Sequence, residues 1–152
     1  MNIKPETYRE LAKHKNIAAI KEANGDVSAA AQTMALCEGY LDLYVGNDDQ
    51  IVPFMSLGAK GVISVSSNVI PRETHDICEL FLQSNVEKSR ELQLQVLSLM
   101  NSLFIDVNPI PVKEAMNLMG LNVGSCRMPL CDMDEKNREI LIQSMKKTGL
   151  IR

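Results

Sequence analysis

The sequence predicts an α/β protein in which short parallel strands alternate with helices. Short segments rich in apolar residues lie at 17–20, 41–46 and 61–65, and each is followed by apolar residues at helical spacing. The connections between these segments are short, as in right-handed βαβ crossovers, which place successive strands in parallel. We therefore expect one layer of parallel strands with helices packed against it.

The first helix is expected to lead into a strand that ends in a lysine. Pro5 suits the first helical turn, and Tyr8 and Leu11 supply an apolar face. The run 17–20 then ends at Lys21, where polar turn residues begin. Such a short apolar run is typical of a parallel strand that is covered on both faces, although a buried helix would show the same run.

The position of Lys21 suggests a chemical role. Alternation along the strand puts Ile17, Ala19 and Lys21 on one face, so the amine would point into an apolar wall. Desolvation disfavours an ammonium ion there, and the neutral amine is the form that attacks a carbonyl to give a Schiff base. A strand-end lysine can also extend its amine to water, so these residues alone leave both interpretations open.

The turn after the lysine leads into a second helix. Glu22 lies on the opposite strand face from Lys21, so we expect it to stabilise the turn or the packing rather than to exchange protons with the amine. Asp26 or Ser28 can cap the helix that follows, which is alanine-rich and should end near 37–39.

The next two helices are bounded by acidic, glycine and proline signals. Asp48 and Asp49 follow the second strand, where a helix amino terminus favours negative charge, so we do not interpret them as a catalytic pair. That helix should end at Gly58. The third strand, 61–65, should lead into a helix that starts at Pro71.

From about residue 86 the strand pattern disappears and three helical stripes follow. We therefore divide the chain into a βα region, 1–85, and a carboxyl-terminal helical region, 86–152, packed on it. Asp132 and Glu135 have capping-box spacing before the last helix. The stripes comprise Leu92, Val96, Leu99, Met100 and Leu103, then Val112, Ala115, Met116 and Met119, then Ile140, Leu141 and Met145.

The composition is that of an ordinary globular protein. Hydrophobic residues make up 45% of the 152 positions, and the formal net charge of -3 gives no reason to expect nucleic acid or an anionic membrane as a partner. The sequence contains no apolar run of about 18 residues, and its first residues lack the pattern of an export signal. We therefore expect a cytoplasmic protein that binds neither membrane nor nucleic acid.

The four cysteines lack paired CxxC spacing, so we expect reduced thiols rather than disulfides. His75 and Cys78 could share a helix face and form a zinc tetrad with Cys126 and Cys131. Structural zinc sites usually use tighter ligand pairs. The sequence therefore predicts no metal site.

Four segments carry a resemblance to a known family. They are IKEANGD at 20–26, YVGNDD at 44–49, GAKGVISV at 58–65 and NPIPVK at 108–113. In order and spacing they resemble the dihydrodipicolinate synthases, which are pyruvate-dependent class I aldolase-type enzymes of lysine biosynthesis. The joint match is specific, whereas IKE or NDD alone would mean little.

The resemblance implies a reaction and three site residues. Lys21 would form a Schiff base with pyruvate, and the resulting enamine would add to the aldehyde of aspartate semialdehyde. Gly46 and Ile63 match family residues that line the pyruvate pocket, and packing within a barrel is the alternative role for both. The chemistry needs no cofactor.

The resemblance covers almost all of this chain but only the carboxyl-terminal half of the family's chain. A complete (β/α)8 barrel typically needs about 250 residues, more than the 152 present. The family's threonine pair, relay tyrosine and arginine have no match, and none of Tyr8, Tyr40 and Tyr44 matches the relay tyrosine. We therefore expect a partial TIM barrel of about three parallel βα units in a truncated chain that is inactive alone.

Two other functions stay open. N-acetylneuraminate lyases and keto-deoxy-sugar aldolases would use the same lysine, but 22–26 resembles the synthases more closely. A noncatalytic half-barrel would serve only as an assembly module. An open sheet also predicts a homo-oligomer, whose contact by resemblance would lie near Val27, Ser28 and Leu57.

Overall fold

A three-stranded parallel sheet forms the centre of the βα region. The computed structural model describes residues 2–37 and 39–152. Strands β1 (Ala19–Glu22), β2 (Asp42–Val45) and β3 (Gly61–Val62) lie side by side in that order, so β2 is central. Both strand pairs are parallel. The predicted α/β class with parallel strands is confirmed.

Helices follow each strand and then continue without further strands in the described part of the chain. Short 3-10 turns at Asp48–Gln50 and Ser66–Asn68 precede the helices after β2 and β3. None of the helices that the structure describes combines the length and the hydropathy needed for a membrane span. The α-helices are α1 (Pro5–Leu11), α2 (Val27–Cys37), α3 (Ile51–Met55), α4 (Pro71–Leu82), α5 (Val86–Ser102), α6 (Ile110–Leu118) and α7 (Glu135–Lys147).

The sheet buries one face against the helices and leaves the other open. Ile20, Leu43 and Val45 are buried in the hydrophobic core, whereas Ala19 and Lys21 on the alternate face of β1 are exposed. The expectation that the lysine strand is covered on both faces is therefore wrong for this structure. Only the helix-facing side contributes to hydrophobic stabilisation.

The carboxyl-terminal helices share this hydrophobic core. Helix α5 packs against α4, α3 and α7. Its buried residues Leu99 and Met100 belong to the same apolar cluster as Leu43 of β2 and Leu141 of α7. The helical region is therefore joined to the sheet by packing rather than by a linker.

Several predicted boundaries shift for identifiable reasons. Ile17 donates its backbone N–H to the carbonyl of His14 and closes a turn, so β1 starts at Ala19 rather than at Ile17. Helix α3 ends at Met55, three residues before Gly58, and a turn fills the interval. The predicted end of α2 near 37–39 is met at Cys37, and Glu38 lies outside the described residues.

The last helix is capped by a different aspartate from the predicted one. The side chain of Asp134 accepts hydrogen bonds from the backbone N–H groups of Lys136 and Asn137, at 3.0 and 3.4 Å. Asp132 lies two residues before this cap, so the predicted capping box with Glu135 is wrong. Glu135 instead occupies the first helical position.

Replacing the cap should cost stability, whereas replacing its neighbour should not. We expect Asp134→Ala to lower the free energy of unfolding by about 1 kcal/mol, because two helix N–H groups lose their acceptor. Asp132→Ala, which removes the same charge, is the matched control. Urea unfolding followed by circular dichroism measures both, and equal losses would contradict the assignment of the cap.

Candidate active site at the carboxyl edge of the sheet

The register brings the three predicted site residues to one face of the sheet. Lys21 pairs with Tyr44, and Tyr44 pairs with Gly61. Paired residues of parallel strands point to the same face, and so do residues two apart on one strand. Gly46 follows Tyr44 by two positions and Ile63 follows Gly61 by two, so both share the face of Lys21.

This face is open to water at the carboxyl ends of the strands. Lys21 is exposed, Tyr44 is half-buried and Ile63 is 49% exposed. The expectation that Lys21 points into an apolar wall is therefore wrong here, because nothing in the described chain covers this side of β1. Tyr44, which does not match the relay tyrosine of the family, pairs with Lys21 on the neighbouring strand.

Gly46 allows the ends of β1 and β2 to approach closely. Its N–H donates to the carbonyl of Glu22 at 2.7 Å. A Cβ at this position would lie 2.5 Å from the Cβ of Ala23 and 2.8 Å from the Glu22 carbonyl oxygen. The absence of a side chain is therefore required by the backbone next to Lys21, which is a packing role.

The four residues Asn47–Gln50, here called the clamp turn, follow β2 and hold the turn after β1. The side-chain amide of Asn47 donates to the carbonyl of Ala23, and that of Gln50 donates to the carbonyl of Gly25, both at 3.3 Å. These bonds fix the segment that follows Lys21. Sequence reasoning missed both amides, because a single polar residue in a turn gives no sign of its partner.

Glu22 stabilises the same β1 turn, as predicted. Its side chain is 6% exposed, and its Oε1 accepts the N–H of Asn24 at 2.8 Å. Burial, and then the nearby charge of Glu22, raises the pKa of Tyr8 in α1. The carboxylate therefore faces the helices, away from the amine of Lys21.

Asp48 of the clamp turn holds the segment after β3. It is 0% exposed, and its Oδ2 accepts the N–H groups of Val65 and Ser66 at 3.0 and 2.8 Å. Asp48 and Asp49 both lie in the first turn of a 3-10 helix, as predicted. Asp49 is exposed, whereas Asp48 has this further role in holding the segment after β3. These bonds also explain why β3 ends at Val62, because the chain turns towards Asp48 instead of extending to residue 65.

Gln93 of α5 holds the clamp turn from the helical region. Its Oε1 accepts the N–H of Val52 at 2.8 Å, and its Nε2 donates to the carbonyl of Asp49. Gln93 is 5% exposed. A polar residue at a buried position of an amphipathic helix is a signal that could have identified this contact.

The residues of the hypothetical zinc tetrad lie in two separate clefts. His75 and Cys78 line a cleft of about 350 Å³ beside β3, and Cys126 and Cys131 line a cavity of about 220 Å³ beside α6. Among the described residues no three His, Cys, Asp or Glu side chains gather as metal ligands. Burial, together with the charge of Asp48, raises the pKa of Cys78 to about 11, so this thiol is protonated at neutral pH.

The family match and the individual relatives of this chain agree with each other. The profile of the Dihydrodipicolinate synthetase family matches residues 1–148. The chain is 56% identical over 150 residues to the 4-hydroxy-tetrahydrodipicolinate synthase of Caldicellulosiruptor bescii, covering 99% of this chain and 50% of that protein. For the enzyme of the same name from Clostridium perfringens the identity is 53% over 152 residues, covering 100% and 52%. The chain thus spans about half the length of the relatives it matches.

Solved structures give the same result. A dihydrodipicolinate synthase from Thermotoga maritima superimposes with a TM-score of 0.94 at 40% identity, covering 99% of this chain and 52% of that one. A variant described as the first monomeric dihydrodipicolinate synthase superimposes with a TM-score of 0.93 at 39% identity and the same coverage. The predicted partial TIM barrel with a helical carboxyl-terminal region is confirmed.

A side chain at Gly46 should separate the ends of β1 and β2. We expect Gly46→Ala to lower the free energy of unfolding by about 1–3 kcal/mol, the usual range for overpacking. Adding Ala23→Gly removes the 2.5 Å contact, so the double variant should recover part of the loss. Thermal and urea unfolding of the four proteins form the cycle. A stability of Gly46→Ala equal to that of the original chain would contradict the close approach.

Proposed function

The chain belongs to the Dihydrodipicolinate synthetase family, and on that premise we propose that Lys21 forms a Schiff base with pyruvate. The proposed activity is that of a lyase of lysine biosynthesis, condensing pyruvate with aspartate semialdehyde. The observation that carries the proposal is that Lys21 shares one open face and one edge of the sheet with Gly46 and Ile63. In TIM barrels the active site lies at this edge.

The proposed reaction begins with attack of the neutral amine of Lys21 on the ketone carbon of pyruvate. The resulting carbinolamine takes up a proton and loses water to give an iminium ion, and loss of a proton from the methyl carbon then gives a neutral enamine. The enamine carbon bonds to the aldehyde carbon of aspartate semialdehyde, the aldehyde oxygen takes up a proton to become a hydroxyl group, and the iminium ion forms again. The amino group of that substrate then attacks the iminium carbon, closes the ring and releases Lys21.

Gly46 and Ile63 are proposed to line the pyruvate pocket. Gly46 would border the pocket with its main chain, because Ala23 and the Glu22 carbonyl already occupy the space of a side chain there. Ile63 would border the pocket with its side chain and main chain. The close approach of Gly46 to Ala23 is compatible with this role, because it also fixes the backbone beside Lys21. The proposed location is the cytoplasm, in keeping with four free cysteines.

The 152-residue polypeptide on its own is proposed to turn over slowly or not at all. It supplies three parallel strands, and positioning and preorganised electrostatics each supply several kcal/mol of barrier lowering in enzymes. By resemblance, the threonines, tyrosine and arginine that would supply most of both are not in this sequence.

Pyruvate and borohydride together test the role of Lys21. We expect slow trapping of pyruvate as a secondary amine, with the largest share of adduct on Lys21 and that share lost in Lys21→Ala. Lys60→Ala, which removes another exposed lysine of the sheet region, is the control and should leave the Lys21 adduct unchanged. Intact mass and peptide mapping measure both.

The remaining outcomes separate the alternative functions. Synthase turnover should stay below detection for this polypeptide and rise if a second polypeptide carrying further βα units closes the barrel. Turnover with a sugar aldehyde but not with aspartate semialdehyde would instead favour a sister aldolase. An adduct spread evenly over the exposed lysines, before and after complementation, would leave only a noncatalytic assembly role.

We also propose that this polypeptide self-associates. Strands β1 and β3 are both edge strands of the sheet, and the face that carries Ala19 and Lys21 is open. Unpaired strand edges and exposed apolar faces tend to be covered by another chain. The proposed contact near Val27, Ser28 and Leu57 lies on α2 and just after α3, where Val27 is 38% exposed.

Sedimentation velocity at several concentrations tests self-association. We expect a species larger than the monomer that dissociates on dilution, and Val27→Glu should weaken it if that contact is used, because burying an unpaired charge is costly. Val86→Glu, at a similarly exposed valine on α5, is the control. A monomer at the highest concentration would refute the proposal. That outcome has a precedent in the variant described as the first monomeric dihydrodipicolinate synthase.

A further inference from the structure

Asp48 is a fully buried carboxylate that the proposed chemistry does not use. Its Oδ2 accepts two backbone N–H groups, and its Oδ1 has no hydrogen-bond partner among the described residues. The salt bridges of the described residues do not include it. A buried charge without a cation is costly, so its two amide bonds are its main compensation.

Those two bonds act on the segment that contains Ile63. The N–H of Ile63 donates to the carbonyl of Val45 at 2.8 Å, which fixes the start of the segment to β2. Asp48 follows β2 by three residues and fixes Val65 and Ser66. The main chain at Ile63 and Ser64 is therefore held at one end by β2 and at the other by the clamp turn that follows β2.

Hydroxyl groups also hold the segment that follows Ile63. Ser64 Oγ lies 3.1 Å from Ser66 Oγ and accepts the N–H of Ser67 at 2.9 Å. Ser66 Oγ lies 3.4 Å from Oγ1 of Thr74, which donates to the carbonyl of Ile70 at 2.9 Å. The segment after Ile63 thus has a defined path whose only charged anchor, within the described part of the chain, is Asp48.

We infer that Asp48 is a positioning residue that sets the main chain at Ile63 for pyruvate bound to Lys21. The inference rests on the proposed function. Pyruvate has only three carbons, so a small displacement of its pocket wall changes its fit, and misplacement of about 1 Å can cost on the order of 100-fold in rate. Asp48 reaches the ligand only through the segment that it holds.

The experiment compares Asp48→Asn with Asp49→Asn in the full 152-residue chain. Both variants remove one negative charge from the clamp turn, but only Asp48 is buried and bonded to the segment after β3. Asparagine keeps an acceptor of the same shape, so folding should survive. Charge-assisted hydrogen bonds are roughly twice as strong as neutral ones, so the segment should loosen.

Two measurements are made on each protein. Amide hydrogen exchange should become at least about fivefold faster at Val65 and Ser66 in Asp48→Asn and stay unchanged in Asp49→Asn. Borohydride trapping against pyruvate concentration should show a half-saturating concentration at least about threefold higher in Asp48→Asn, with little change in the maximal rate. A purely structural role would lower the amplitude through unfolding without moving the half-saturating concentration of the folded chains.

The outcomes distinguish a failure of the proposed function from a failure of the inference about Asp48. Lack of a Lys21 adduct in the original chain would overturn the proposed function and this inference with it. An adduct in the original chain, with a half-saturating concentration that is the same in Asp48→Asn, would overturn the inference alone. Asp48→Ala, which removes the acceptor altogether, should show the larger change, and if it does not fold the asparagine variant decides.

Discussion

The carboxyl edge of the sheet depends on the hydrogen bonds of one short turn. The clamp turn, Asn47–Gln50, bonds to the turn after β1, to the segment after β3 and to helix α5. Loops at the ends of parallel strands are otherwise free to move independently, because no ladder joins them. Here hydrogen bonds from two side-chain amides and to one buried carboxylate connect the segments that follow the three strands.

The open face of the sheet sets the conditions for any chemistry at Lys21. A closed barrel would surround the amine with protein, whereas this face leaves it exposed to water. Water weakens electrostatic interactions through its high dielectric constant. The described chain therefore places Lys21 beside the other site residues but does not provide the enclosed environment of a complete barrel.

The sequence predicted the strand and helix order well because hydrophobic periodicity follows from burial against one core. The predicted alternation of side chains along β1 was correct, but the predicted apolar cover over Lys21 was wrong. An apolar run shows that a strand can be buried and does not show whether another element lies over it. Asp48 and Asp49 look equivalent in the sequence, yet one is buried and the other exposed. Only the tertiary path of the segment after β3 distinguishes them, and local spacing carries no information about that path.

The contact of Gln93 with the clamp turn also limits how such chains can be recombined. The two partners lie more than 40 residues apart in sequence, since Gln93 bonds to Val52 at a separation of 41 and to Asp49 at a separation of 44. A crossover between two related genes that falls inside this interval would join a helix α5 from one parent to a turn from the other. Unless both parents place a side chain of matching shape and hydrogen-bonding capacity at position 93, the hybrid would leave a backbone amide and a carbonyl buried without partners.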